Sequence, residues 1–222
     1  MIKIFVESLG RLFSYVYTRT LIEWVYEVKN HLRTGFYRRY FKELNGVLLG
    51  PIVYNAPECI SIKKGTYVHS YARLCAWTSF NGEKFNPEIS IGENCSIGKD
   101  VFLSAINKIS VGNNVAITAR TLVLDNVHGD FKESSLTFIA DPNVPDVFLQ
   151  NVKSRRLCSN GPIIIEDNVH IGEGCVILPG VTIGRNSVIS ANTVVMKNIP
   201  PYSLVSGNPG KILLTFGKNN EK

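Results

Sequence analysis

Four histidines are the first residues of this 222-residue chain to weigh for chemistry. A neutral imidazole can take a proton from a weak nucleophile near pH 7. His31 lies in a basic segment of helical periodicity and reads as a surface or packing residue. His69 sits beside Val68 inside a regular repeat and reads as structural. His170 precedes Ile171 in a similar repeat and reads as a packed side chain. His128 stands apart. It lies in LDNVHGDF (124–131), where the repeat gives way to a long irregular stretch. Its bland reading is a turn histidine capping the chain; its functional reading is a general base. Asp125, Asp130 and Glu133 are candidate carboxylates to orient it, and an acid from elsewhere serves equally. The intervals from 69 to 128 to 170 supply no close histidine pair of the kind a zinc site uses, so no metal is expected. The five cysteines (Cys59, Cys75, Cys95, Cys158, Cys175) are odd in number and have no CxxC spacing. They read as thiols of a reducing, cytoplasmic compartment.

The elements that must position these residues show a period of six. Ile165, Ile171, Ile177, Ile183, Ile189 and Val195 fall on one lattice. Two residues earlier lies a lattice of smaller side chains: Ile163, Val169, Cys175, Val181, Ser187 and Thr193. Upstream, Ile91, Ile97 and Leu103 repeat the pattern, as do Val111, Ile117 and Val123 and, more weakly, Ile62, Val68 and Leu74. Six matches neither a helix nor a simple strand, and hexapeptide repeats read as a parallel β-helix. Each hexad is one short strand and a corner. Gly-Glu-Asn (92–94), Gly-Asn-Asn (112–114), Glu-Asp-Asn (166–168) and Gly-Arg-Asn (184–186) are the corners, because Gly and Asn tolerate positive φ. Stacking at ~4.8 Å would supply the core that no single coil can bury.

Other segments depart from this rhythm. Residues 1–45 read as one or two amphipathic helices, with Leu21, Trp24, Val28 and Leu32 at helical spacing. The apolar stripe is expected to pack on the β-helix or on a neighbouring subunit. The alternative is an interfacial helix, since residues 1–44 carry a net +4 of the chain's +6. No nucleic-acid-binding motif accompanies that charge, so nucleic acid is not expected as a partner. Residues 46–57 read as a linker, 58–208 as the β-helix domain with an inserted loop at 129–162, and 209–222 as a partly helical tail. Residues 76–88 read as a small excursion. In a solenoid, such insertions map to loops, often on the binding face. Lys153, Arg155 and Arg156 in the insert could meet a phosphate or simply keep the loop soluble.

The stretch IIIEDNVHIGEGCVILPGVTIGRNSVISANTVVMKNIPPYSLVSGNPGKI (163–212) resembles the C-terminal coils of the hexapeptide-repeat acyltransferases. It is most similar to the maltose, galactoside and surface-polysaccharide O-acetyltransferases. The resemblance covers most of residues 89–212 and weakly includes 58–75. It implies a left-handed parallel β-helix, although ordinary parallel crossovers are right-handed. It also implies a homotrimer with active sites between subunits, and acetyl-CoA as co-substrate. The implied activity is O-acetylation of a sugar hydroxyl in surface-polysaccharide biosynthesis, by direct transfer with His128 as general base. Lys197 matches a lysine that neutralises CoA phosphate, Ala191 a small residue along the pantetheine arm, and Lys211 a second phosphate partner. His170 falls where a wall of the cofactor groove is expected. The acceptor asparagine of the sugar acetyltransferases has no convincing match. The implied acceptor is a sugar, nucleotide-sugar or lipid-linked glycan. The enzyme is then cytoplasmic, with peripheral membrane contact through residues 1–45 in the interfacial reading. Amino-sugar N-acetylation and a non-catalytic binding scaffold are the competing readings.

Overall fold

The computed structural model describes residues 19–217, except 132, 133, 135 and 140. The hexads form the expected left-handed parallel β-helix, with three sheets around one core. The first sheet runs through Glu43–Leu44, Ile60–Ile62, Glu88–Ile91, Lys108–Val111, Ile163–Ile165 and Thr182–Ile183. The second begins at Val47–Leu48 and Tyr67–Val68 and ends at Val188–Ile189, Ser203–Ser206 and Lys211–Thr215. The third runs from Val53–Asn55 through Arg73–Ala76, Phe102–Ala105, Leu122–Leu124 and Val176–Ile177 to Val194–Val195.

Register explains the lattice. Leu44, Ile62, Ile91, Val111, Ile165 and Ile183 stack in the first sheet. Leu48, Val68, Ile97, Ile117, Ile171, Ile189 and Val205 stack in the second. Tyr54, Leu74, Leu103, Val123, Ile177 and Val195 stack in the third. All but Tyr54 are buried. Each fully buried aliphatic contributes ~1.5–3 kcal/mol, so the stacks dominate the core energetics. The smaller lattice is buried as well. Where it is polar, it bonds the corners: Thr66 Oγ1 donates to Gly92 O, Thr121 Oγ1 to Gly172 O, and Ser187 Oγ to Pro200 O. The corner asparagines Asn94, Asn114, Asn168 and Asn186 have φ between 56° and 59°, as their residue type anticipates.

Three expectations change. Residues 46–57 are not a linker: Val47–Leu48 and Val53–Asn55 belong to the first coil. Gly46 and Gly50 are its corners, required by close approach. A Cβ at Gly46 would meet Thr66 O at 2.6 Å, and one at Gly50 would meet Ser70 Cβ at 2.5 Å. Among the described residues of the tail, none is helical. Lys211–Thr215 turns back antiparallel on Ser203–Ser206. The loop between them lies on the last strand of the third sheet: Val194 N–H donates to Gly207 O, and Gly210 N–H to Val194 O.

The third concerns helix α1, Arg19–Tyr37. Of the expected stripe, Trp24, Val28 and Leu32 are exposed. The face on the β-helix is polar. Thr34 Oγ1 accepts from Leu48 N–H, Tyr26 Oη donates to Leu49 O, and Arg38 Nε to Leu44 O. Val47–Leu48 is the edge strand of its sheet, so its free backbone groups call for polar partners rather than an apolar stripe. The stripe residues 1–18 lie outside the described residues. Among the described residues, no helix is long and apolar enough to cross a membrane.

Candidate active site

Both excursions leave the β-helix at the corner from the third sheet to the first. The shorter is a hairpin, Ser79–Phe80 with Glu83–Lys84. The longer opens with Val127–His128, which pairs antiparallel with Leu157–Cys158 before the chain re-enters the first sheet at Ile163. The excursions are joined. Arg156 Nε lies 3.3 Å from Glu83 Oε1, and Asn81 Nδ2 donates to Lys153 O at 3.0 Å. Arg156 therefore serves as a strut between loops.

His128 lines a cavity of about 280 Å³, together with Trp77, Phe80, Phe102, Asn126 and Leu157. Its ring meets Phe80 edge-on, with centroids 5.3 Å apart. Asn126, two residues earlier, lines the same cavity. Asn126 Nδ2 donates to Ser104 O at 3.0 Å and to Ser104 Oγ at 3.1 Å. Trp77 Nε1 also donates to Ser104 Oγ, at 3.1 Å. The indole and the amide are thus held by one serine.

Of the candidate carboxylates, Asp125 is buried beneath this floor. Its oxygens accept from Ile106 N–H at 2.8 Å and Asn107 N–H at 2.9 Å, and Asn126 Nδ2 lies 3.1 Å from Oδ1. Burial pushes its pKa up, against the pull of these donors. Asp125 therefore anchors the corner under the site. Asp130 lines the neighbouring cavity, and Glu133 lies outside the described residues.

That second cavity, about 470 Å³, continues along the same corner. Val127, Gly129, Cys158, Leu178 and Met196 give it a largely apolar wall. Lys197 follows Met196 and is exposed. The structure therefore brings His128 and Lys197 to one edge of the third sheet. Ala191 lies at the other edge, at the corner from second to third sheet, where Gly172 packs against its backbone with no room for a Cβ. Lys211 begins the closing strand, next to Gly210, and is exposed. His170 points outward from the second sheet between Ala116 and Val188, away from His128. His69 is half-buried in the same sheet region. Among the described residues, no group of three or more His, Cys, Asp or Glu is placed to hold a metal ion.

Sequence reasoning missed Trp77, Phe80, Ser104 and Asn126. Only Asn126 carried a signal, its two-residue spacing from His128. Trp77 and Ser104 reach the cavity through stacking of coils distant in sequence, and Phe80 through the hairpin of the shorter excursion.

Residues 162–197 match the family model for the bacterial transferase hexapeptide (six repeats). The galactoside O-acetyltransferase of Escherichia coli K12 is 35% identical over 129 residues, 56% of this chain and 62% of that protein. WbbJ of the same strain, provisionally named a lipopolysaccharide biosynthesis O-acetyl transferase, is 29% identical over 128 residues, 58% of this chain and 61% of WbbJ. The chain thus spans about three fifths of the length of these two relatives. Among solved structures, AntD superposes with a TM-score of 0.61 at 20% identity, covering 82% of this chain and 87% of that one. AntD is an N-acyltransferase from Bacillus cereus, crystallised with dTDP and 3-hydroxybutyryl-CoA; at this identity the likeness is one of fold. The chain carries hexapeptide repeats over residues 162–197 and resembles the sugar O-acetyltransferases.

Proposed function

We propose that this protein is an acetyl-CoA-dependent O-acetyltransferase acting on a sugar hydroxyl in surface-polysaccharide biosynthesis. The carrying observation is His128 in the lining of one cavity with Asn126, Trp77 and Ser104, the last three joined by hydrogen bonds. The likeness to sugar O-acetyltransferases supports the substrate class. Beside His128, the largely apolar second cavity suits a pantetheine arm, and the exposed Lys197, which follows the lining residue Met196, suits a CoA phosphate. Ala191 and Lys211, at the other edge of the third sheet, would complete the groove from a neighbouring copy in a homotrimer. The acceptor is a free, nucleotide-linked or lipid-linked sugar.

The chemistry is a direct transfer. The acceptor oxygen attacks the thioester carbonyl while its proton passes to the neutral imidazole of His128. The tetrahedral intermediate then expels CoA thiolate, which takes that proton. Phe80 packs edge-on against the imidazole and limits its reorientation. The test is CoA release from acetyl-CoA across free sugars, sugar nucleotides and lipid-linked glycans. Acceptor-dependent release should fall by ~10²–10⁴-fold in His128→Ala. An unchanged rate would remove His128 from the chemistry, and no release with any acceptor would overturn the reading.

The same reading places the enzyme in the cytoplasm, in peripheral contact with an anionic membrane. Ile22, Trp24, Val28, Leu32 and Phe36 present an exposed apolar face on α1, with Lys29 and Arg39 exposed beside them. Such a face suits the interfacial region of a bilayer. Co-sedimentation with phosphatidylglycerol vesicles should be lost in the Trp24→Asp, Leu32→Asp double variant. Equal sedimentation of that variant would refute the contact.

A further inference from the structure

We propose that the pocket between α1 and the first two coils binds a pyranose ring of an uncharged saccharide, apart from the site that holds His128. The pocket has a volume of about 280 Å³ and is lined by Tyr26, Glu27, Asn30, His31, Leu49 and Tyr67, together with Val47. It lies against the second sheet, on the side of the triangular cross-section opposite the corner that carries His128.

Asn30 is the central observation. It is only 2% exposed. Arg33 donates to its Oδ1 at 2.7 Å, which fixes the orientation of the amide. Its Nδ2 is buried and has no hydrogen-bond partner among the described residues. Buried amide donors are ordinarily paired, so this one is set to receive an acceptor from a ligand. The pocket walls narrow the chemistry. Tyr26 Oη donates to Leu49 O at 2.7 Å, holding that ring in place. Tyr67 projects from the second sheet and is about half exposed. Aromatic faces of this kind present an apolar, electron-rich surface to the C–H face of a sugar ring. The Glu27 carboxylate accepts, the Asn30 amide donates, and the His31 imidazole can do either, which suits a set of hydroxyls. Lys and Arg are not among the lining residues, so a phosphate or sulfate is not the matched group.

This inference stands apart from acetyl transfer and needs no acetyl-CoA. Its consequence for a polymeric acceptor is tethering: one sugar unit held at this pocket raises the local concentration of others at the corner sites.

The test is an array of neutral hexose and N-acetylhexosamine oligosaccharides, followed by calorimetric titration of the full chain without acetyl-CoA. At least one saccharide should bind. Tyr67→Ala should weaken that binding at least ~10-fold, Tyr67→Phe should retain it, and Asn30→Asp, which replaces the donor by an acceptor of the same shape, should weaken it. Far-ultraviolet circular dichroism confirms that each variant is folded. Failure of the whole array to bind, or binding indifferent to Tyr67→Ala, would overturn the proposal. Either result leaves the acetyl-CoA turnover assay and its His128→Ala variant untouched, so the two readings fail separately.

Discussion

Replacing Asp125 by alanine tests whether the corner beneath His128 is held by a buried carboxylate. The variant removes the acceptor of two backbone donors, Ile106 N–H and Asn107 N–H, and one contact of Asn126. A donor left buried without a partner costs about 1–3 kcal/mol. Asn126 keeps its bonds to Ser104 and Asn107 is exposed to water, so the loss rests on the buried Ile106 N–H and should total about 1–3 kcal/mol. For a chain of this size, that lowers the melting midpoint by roughly 2–12 °C. The pH dependence follows from the raised pKa, whose cause is burial. A carboxyl that holds its proton more tightly when folded contributes stability that is complete below the ordinary aspartate range. That contribution is lost as pH rises through the raised value. The gap between wild type and Asp125→Ala should therefore narrow as pH rises across that window. Scanning calorimetry between about pH 4 and pH 8 reads both effects. Asp125→Asn, which keeps one acceptor, should lie between the two proteins. A midpoint within ~1 °C of wild type, or a gap that widens with pH, would refute the anchoring role.

Ile177→Ala cuts one side chain from the stack between Val123 and Val195, and denaturant unfolding should show a loss of about 2–5 kcal/mol. Gly172→Ala places a Cβ against the backbone of Ala191 and Ser190; a destabilisation of ~1–3 kcal/mol in the same assay would match the forced shift. Arg156→Ala breaks an exposed ion pair with Glu83. It should cost less than about 1 kcal/mol, so a large drop in melting temperature would show that the strut carries more than its exposure suggests.

The β-helix was legible in the sequence because its core is one-dimensional. Each aliphatic residue of the lattice has its partner one coil away, so periodicity alone places Ile171 on Ile117 and Ile177 on Val123. The phase slip of two residues between Leu103 and Val111 is also visible. The structure shows where it is absorbed, at Ile106 and Asn107, on the oxygens of Asp125. The first coil was illegible because Gly46, Gly50 and Pro51 read as linker punctuation, whereas the two glycines are contact points between coils. The orientation of α1 was illegible for a different reason. An apolar stripe is normally the buried one, but the edge strand beneath α1 offers peptide groups. Thr34 and Tyr26 answer them at Leu48 and Leu49. At the site, His128 could be singled out by its place before the insert, whereas Trp77 and Ser104 join it only through stacking across coils.

A parallel solenoid has no intrinsic length. Its last coil offers the next one the same ridge of peptide groups and the same aliphatic floor that it found beneath itself. Here the chain spends its final described residues closing that door. Gly207 and Gly210 take up the main-chain groups of Val194, and the strand Lys211–Thr215 runs against the grain of the sheet it joins. A second molecule approaching from this end meets a reversed strand where fibre growth would need a parallel one. The hairpin is thus a terminator. Without it, the regularity that makes the fold readable would also make it a template for end-to-end polymerisation.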